Sequence, residues 1–404
     1  MQWFSLVYLS LCSIACAAQP LLKTRSAVHP RIADRRWPLA PPSLLTNSRW
    51  VLARHPDGAV KASDFLLVKE VVDPSALADG QVLVRVETLS IDAFIRTTLD
   101  ERAYHGATPI GSTITALGLG VVVASTSCIF KPGDKVAGVL GAQTYASVPT
   151  ALLTPAPQLP GMPANAVLAE LGFTTGLTAW VGMHAVLGPP KRGEVVVVSA
   201  AAGAVGCCAA QMAMNRGARV IGIAGGARKV QFLTQELGLQ GTVDYKDPAK
   251  SVGEQLDELC PDGIDFFFDN VGGATLDAVL ARLRPGARVI VCGAVSQYDT
   301  AKLNHGQVEG PSNYLALAER GATMSGFNVM QKMHLLPWMI IRVLVSVAAG
   351  RLHVPRHTER GIERVPAALA LLFNGGHVGK LLVELDDSLA AVPSTSEPDG
   401  IYRM

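Results

Sequence analysis

Residues 195–206, VVVVSAAAGAVG, constrain the fold of this chain more than any other stretch. Four consecutive valines, β-branched and apolar, read as a short strand buried on both faces. The small residues that follow place Ala201, Gly203 and Gly206 on a G-x-G-x-x-G frame with alanine in the first slot. In that frame Gly203 lets the backbone approach a diphosphate, and Gly206 lets the next helix pack against the strand. The free N–H groups at the helix start then face the anion. The run CCAAQMAMNRG continues as a helix closed by Gly217, and RVIGIA at 219–224 reads as a second strand. Together they form a right-handed β-α-β unit of about thirty residues, the size a dinucleotide site requires.

The tip of the second strand bears on which dinucleotide. An NAD site carries an acidic residue about twenty residues past the glycines to accept the ribose hydroxyl. Here the strand runs instead into Gly225, Gly226, Ala227, Arg228 and Lys229. Arg228 as a fork and Lys229 as a point charge can neutralise a 2′-phosphate, which favours NADPH over NADH.

The alternation continues downstream, with strands expected at 242–245, 264–269, 288–293 and 323–329 and helices between them. The fold class is therefore α/β, a doubly wound parallel sheet, with a second, β-rich domain before it. That second domain is read from RWVLA, FLLVKEV, QVLVRVETLSI, GVVVAST, DKVAGVLG and TYASV, separated by turns at Asp79-Gly80 and Lys131-Pro132-Gly133-Asp134. A proline-spaced linker, ALLTPAPQLPGMPANAV, leads from it to a helix, GFTTGLTAWVGMHAVL. The apolar segment 335–349 contains Pro337 and Arg342 and reads as a core or subunit-contact helix. HVGKLLVELDD is strand-like and is expected to return to the β domain. The division is thus 1–46 extension, 47–169 substrate domain completed by about 356–386, 170–355 nucleotide domain and 387–404 tail.

Residues 4–18 form an apolar run ending in Ala15, Cys16, Ala17 and Ala18, like the core and cleavage region of a signal peptide, and too short for a membrane span. Lys23, Arg25, Arg31, Arg35 and Arg36 follow against the single acid Asp34, broken by prolines as in a transit peptide. An organelle or the endomembrane route is expected, with a cytosolic location as the alternative. The near-neutral balance of 35 basic and 33 acidic residues gives no reason to expect nucleic acid as a partner. Outside the extension the cysteines are Cys128, Cys207, Cys208, Cys260 and Cys292, with no C-x-x-C or Cys/His spacing, so neither a disulfide framework nor a structural zinc site is expected. Cys207, Cys208 and Cys292 read as small buried hydrophobes.

From residue 48 to 386 the markers LSIDAFIR, FKPGDKVAG, GLTAW, VVSAAAGAVG, DYK, DFFFDNVGG, VCGAVSQY, GPSNYLALAERGATMSGF and GGHVGK occur in order. This array resembles the zinc-independent medium-chain dehydrogenase/reductases of the leukotriene B4 dehydrogenase, prostaglandin reductase and alkenal reductase group, most of all the bacterial curcumin-reductase-like branch. The resemblance implies a Rossmann domain beside a GroES-like domain, NADPH as cofactor and a homodimer. It implies that Ala202, Gly203, Ala204, Val205 and Gly206 hold the diphosphate, Lys229 the 2′-phosphate and Tyr245 the adenosine end. Asn270 would touch the nicotinamide half. Cys292, Gly293, Ala294, Val295, Ser296, Gln297 and Tyr298, with Phe327, Asn328 and Val329, would line the nicotinamide pocket. Two positions depart from the family pattern: His377 stands where an asparagine would contact the cofactor, as a remaining hydrogen-bond donor or a surface histidine. Asp92-Ala93-Phe94-Ile95-Arg96 lacks a tyrosine hydroxyl at the expected substrate mouth.

The ligands of zinc alcohol dehydrogenases are missing too, since 91–96 offers no cysteine and no Gly-His-Glu occurs. Metal is therefore not expected, and a substrate carbonyl must be polarised by hydrogen-bond donors, each contributing roughly 3 kcal/mol. That suits a conjugated carbonyl, whose own delocalisation spreads the charge as hydride reaches the β-carbon. Tyr298 and Tyr314 are the candidate donors, with solvent, the ribose hydroxyl or a purely apolar slot as alternatives. Two other functions fit the sequence: a quinone reductase of the same fold, and a non-catalytic NADPH-binding protein.

Overall fold

The four valines form β8 (Val195–Val198), an inner strand of a six-stranded sheet ordered β10 (Gly241–Asp244), β9 (Arg219–Ala224), β8, β11 (Ile264–Asp269), β12 (Leu283–Val291) and β13 (Thr323–Gly326). All neighbours are parallel. The computed structural model describes residues 44–101, 103, 106–156, 162–299 and 310–385. The expected extension up to residue 43 and the expected tail lie outside the described residues.

The unbroken apolar run of β8 follows from burial on both faces. Val196 and Val198 pack with Phe266, Phe268 and the helix Ala204–Met214 in one core, whereas Val197 and Phe267 enter a second core with Leu276, Val279 and Leu280. Each fully buried side chain of this kind contributes about 1.5–3 kcal/mol. Strand order reverses between β8 and β11, so a crevice opens at the carboxyl ends of these two strands, where doubly wound sheets bind their ligands.

Around a second sheet run β14 (Arg356–Arg360), β15 (Lys380–Glu384), β3 (Gln81–Ile91), β4 (Leu117–Ser125), β5 (Lys135–Val139) and β7 (Leu153–Pro155), with β6 (Tyr145–Pro149) also on β3. β1 (Leu45–Leu52) and β2 (Phe65–Val72) form an antiparallel pair beside it. As expected, the last apolar stretch returns to this domain, β15 lying antiparallel to β3.

Three local expectations are corrected. The proline-spaced linker contributes β7, which pairs with β5 and ends at Pro155, a residue a strand accepts at its edge. The helix before β8 is an α-helical turn, Thr178–Val181, between two π-helical turns, Phe173–Leu177 and Gly182–Val186. Gly182 comes so close to β11 that a Cβ there would lie 2.5 Å from the Phe268 ring. Finally, β12 starts at Leu283 rather than at 288, and β13 ends at Gly326 because Asn328 caps a turn over Val329–Leu335.

Helix Leu336–Ala348 carries its proline in the first turn, where no N–H is needed, and buries Leu336, Met339 and Val343. Among the described residues no helix is long and apolar enough to cross a membrane. Cys207 and Cys208 are fully buried, and burial pushes the Cys207 thiol up to about 12, so it packs as a neutral hydrophobe.

Candidate active site

The turn after β8 is strained where the chain leaves the strand. Ala200 has φ +47°, the one non-glycine in the left-handed region among the described residues, and sequence reading gave no sign of it. Its carbonyl accepts from Gly203 N at 2.9 Å, closing the turn, and Gly203 then caps the helix Ala204–Met214. The first intrahelical bond runs from Cys207 N to Gly203 O at 2.8 Å. The N–H groups of Ala204, Val205 and Gly206 precede it and are left at the helix start, an arrangement that favours an anion. Gly206 is required by contact: a Cβ there would lie 2.3 Å from the Ala200 carbonyl oxygen. Gly206→Ala should therefore destabilise the protein by about 1–3 kcal/mol and weaken dinucleotide binding together with it. Thermal unfolding with and without NADPH checks this, and an unchanged midpoint and affinity would contradict it.

Beyond β9 the chain forms a cationic corner. Tyr245 lies over Gly225, where a Cβ would come within 2.5 Å of the ring, yet the tyrosine stays 52% exposed and keeps surface for a ligand. Lys229 is half-buried. Burial first, then the charges of Lys246 and Arg228, hold its amine below the usual lysine range. Lys246, which the sequence reading did not single out, thus completes a group of three cations. Asp244, at the end of β10, accepts from Gly226 N and Lys246 N, both at 2.8 Å, and serves as a backbone clamp.

At the reversal of strand order, Ser199 and Asp269 are fully buried and fix the mouth of the crevice. Ser199 Oγ donates to Asp269 Oδ1 at 2.8 Å, and Asp269 also accepts from the backbone of Val271 and Gly272. Burial raises the Asp269 carboxyl, while these three donors act against the rise. Asn270 is locked by both ends: its N–H reaches Ser199 Oγ at 2.8 Å and its Nδ2 reaches Ser199 O at 2.7 Å. Next to it the loop after β12 is zipped on, with Cys292 N on Asp269 O, Val295 N on Asn270 O, and Ser296 Oγ on Val271 O. Residues 292–298 therefore share one crevice with Asn270. Burial pushes the Cys292 thiol up to about 12, the Asp269 charge adding to it.

Tyr298 closes this loop by accepting from Ala294 N at 3.2 Å, and burial raises its phenol. Phe327 packs near Gly182 at the same edge, and Val329 packs on the core. Asn328 accepts from Met330 N at 2.9 Å, so its side chain is a cap. Tyr314 is 61% exposed at the start of the helix Leu315–Glu319, beside Ser312 and Asn313, which hold Asp277.

The second sheet contributes the loop 375–379. Gly379 N donates to Ala202 O at 2.8 Å, and Gly379 bridges Gly203, so the glycine turn of one domain is held by a loop of the other. A Cβ on Gly375 would lie 3.4 Å from Lys229 Nζ. Between these two points His377 is 6% exposed, which corrects the surface-histidine alternative, and its Nδ1 has no partner among the described residues. The loop is anchored by Lys380, which pairs with Asp92 in the interior, where Thr174 Oγ1 and Ser90 Oγ also donate to Asp92. Arg96 is completely buried and spends its donors on Asp100, Asp299 and the Gly58 carbonyl, tying the altered Asp92–Arg96 segment to the residue after Tyr298.

Two family models match the chain, one described as the N-terminal domain of oxidoreductase over residues 48–155 and one as zinc-binding dehydrogenase over 204–340. The NADP(+)-dependent 2-alkenal reductase of Nicotiana tabacum is 34% identical over 348 residues, 84% of this chain and 97% of the relative. The chain belongs to the medium-chain dehydrogenase/reductase family. The NADPH-dependent curcumin reductase of Escherichia coli is 33% identical over 341 residues, 84% of this chain and 97% of that one. The crystal structure of CurA from Vibrio vulnificus in complex with NADPH matches with a TM-score of 0.76 at 32% identity, covering 84% of this chain and 99% of that one.

Zinc is named in the description of one of these family models. Among the described residues no group of three or more His, Cys, Asp or Glu is placed to hold a metal ion.

Proposed function

We propose that this protein uses NADPH to reduce the carbon–carbon double bond of α,β-unsaturated ketones and aldehydes. The observation that carries this reading is the half-buried phenol of Tyr298 on a loop that is hydrogen-bonded to Asn270, beside the Ser199 turn that leads to the helix-start N–H groups. The residues present fit the dinucleotide. Gly206 lets the turn close where a Cβ would lie 2.3 Å from the Ala200 carbonyl oxygen, Arg228, Lys229 and Lys246 suit a 2′-phosphate, and Tyr245 offers an open ring beside Gly225. The similarity to a 2-alkenal reductase and a curcumin reductase supports the substrate class.

When bound, NADPH supplies the hydride that adds to the β-carbon of the substrate. Negative charge then develops on the conjugated carbonyl oxygen, and a proton is needed at the α-carbon. Tyr298 is suited to this stage because its oxygen already accepts from Ala294 N, which leaves the phenolic hydrogen to be donated. Its raised pKa keeps that hydrogen in place at neutral pH. Asp269 and Ser199 hold Asn270 in one orientation, so the reacting groups meet without a search over conformations.

Tyr298→Phe should lower kcat roughly a hundredfold, the usual effect of removing one aimed donor, with the Kd for NADPH almost unchanged. Stopped-flow NADPH oxidation and equilibrium binding separate the two quantities; an unchanged rate would remove Tyr298 from the mechanism. Enals, enones and quinones assayed side by side distinguish this function from quinone reduction.

A homodimer belongs to the same proposal. Among the described residues β13 pairs on one side only, and Tyr314, Leu315 and Met330 are exposed close to it in sequence. Analytical ultracentrifugation tests it. The sequence boundary at residue 46 is corrected by β1, which already includes Leu45 and Thr46, and we propose that the residues before β1 act as a targeting extension, which the mass of the mature protein would check.

A further inference from the structure

We propose that His377 hydrogen-bonds a phosphate oxygen of the bound dinucleotide and takes up a proton as the dinucleotide binds, which couples cofactor affinity to pH. The inference rests on the reading that this crevice binds NADPH. The histidine occupies the middle of the loop whose two ends touch the two anion-binding features: Gly375 comes against Lys229, and Gly379 bridges the glycine turn at Gly203. It is buried, and its Nδ1 has no partner among the described residues. An unsatisfied buried polar group costs about 1–3 kcal/mol, so a ligand atom is the natural partner for this nitrogen.

The groups facing the ring come from four elements. Lys229 lies in the helix Ala227–Gln231, His357 on β14, Lys380 on β15, and the Leu371 carbonyl in the helix Val365–Asn374. Lys380 is already paired with Asp92. Burial first, then Lys229 and His357, hold the imidazole down to about 4, against the effect of the Leu371 carbonyl, so it is neutral at physiological pH. A phosphate placed between Lys229 and the glycine turn reverses the sign of this local field. The bound state then holds a proton, drawn from solvent, that the free state lacks, and by linkage affinity rises as pH falls toward the pKa of the bound form.

The test is calorimetric titration of wild type, His377→Asn and His377→Gln with NADP+ and with NAD+, in two buffers of different ionisation enthalpy. Wild type should take up more protons than either variant at pH 6. Its Kd for NADP+ should tighten about threefold more than theirs between pH 7.5 and pH 5.5. An excess seen with NADP+ alone assigns the contact to the 2′-phosphate, and an excess with both dinucleotides assigns it to the diphosphate. Equal proton counts in wild type and both variants would overturn this inference while leaving the functional reading intact. Failure of wild type to bind either dinucleotide would overturn both.

Discussion

Lys380→Met should destabilise the protein by about 3–5 kcal/mol, the expected effect of removing one partner from a buried ion pair. Lys380 and Asp92 are 1% and 6% exposed, so the carboxylate left behind has no route to water. The hydroxyls of Ser90 and Thr174 remain as donors to it but carry no charge. The damage should reach the cofactor, because Lys380 follows Gly379, whose N–H holds Ala202 in the glycine turn. Thermal unfolding should show the stability loss, and the Kd for NADP+ should rise in parallel. Adding Asp92→Asn to Lys380→Met should recover a substantial part of the stability, since no unpaired charge is then buried. A loss below about 1 kcal/mol for the single variant would show that the pair does not anchor the loop.

Lys229→Ala should weaken NADPH binding roughly ten- to a hundredfold while changing NADH binding little, as a charge-assisted contact contributes about 1.5–3 kcal/mol. The lysine is held below its ordinary range by burial and by two cationic neighbours in the absence of an anion. A 2′-phosphate offsets that repulsion, and NADH has no group to do so. Arg228 and Lys246 remain in the variant and should preserve part of the preference. Fluorescence titration with both dinucleotides measures the ratio, and an equal loss for NADPH and NADH would move the 2′-phosphate site away from this corner.

What could be read from sequence divides by the range of the interaction. β3, β9 and β11 have the boundaries that their apolar patterns suggest, because strand burial is written into consecutive residues. The role of Gly206 was equally visible, since the steric rule behind it spans a single turn. The Lys380–Asp92 pair was not: its members belong to two separate motifs 288 positions apart, and nothing local to either shows that they meet. Arg96 is similar, with Asp299 203 positions away. The buried environment of His377 depends on Lys229 and His357 from other elements, so local polarity allowed a surface histidine. Ala200 offered no sign at all, as alanine in the left-handed region runs against its own preference and is imposed by the turn. Tyr314, a candidate donor from sequence, is exposed, which nothing in its local sequence foretold.

The most direct test of the central claim is product analysis after incubating the purified protein with NADPH and a conjugated enone. The account predicts one saturated ketone formed per NADPH consumed, with the carbonyl intact, and a much slower reaction with NADH. Formation of the allylic alcohol, or no NADPH consumption with any conjugated carbonyl, would contradict it.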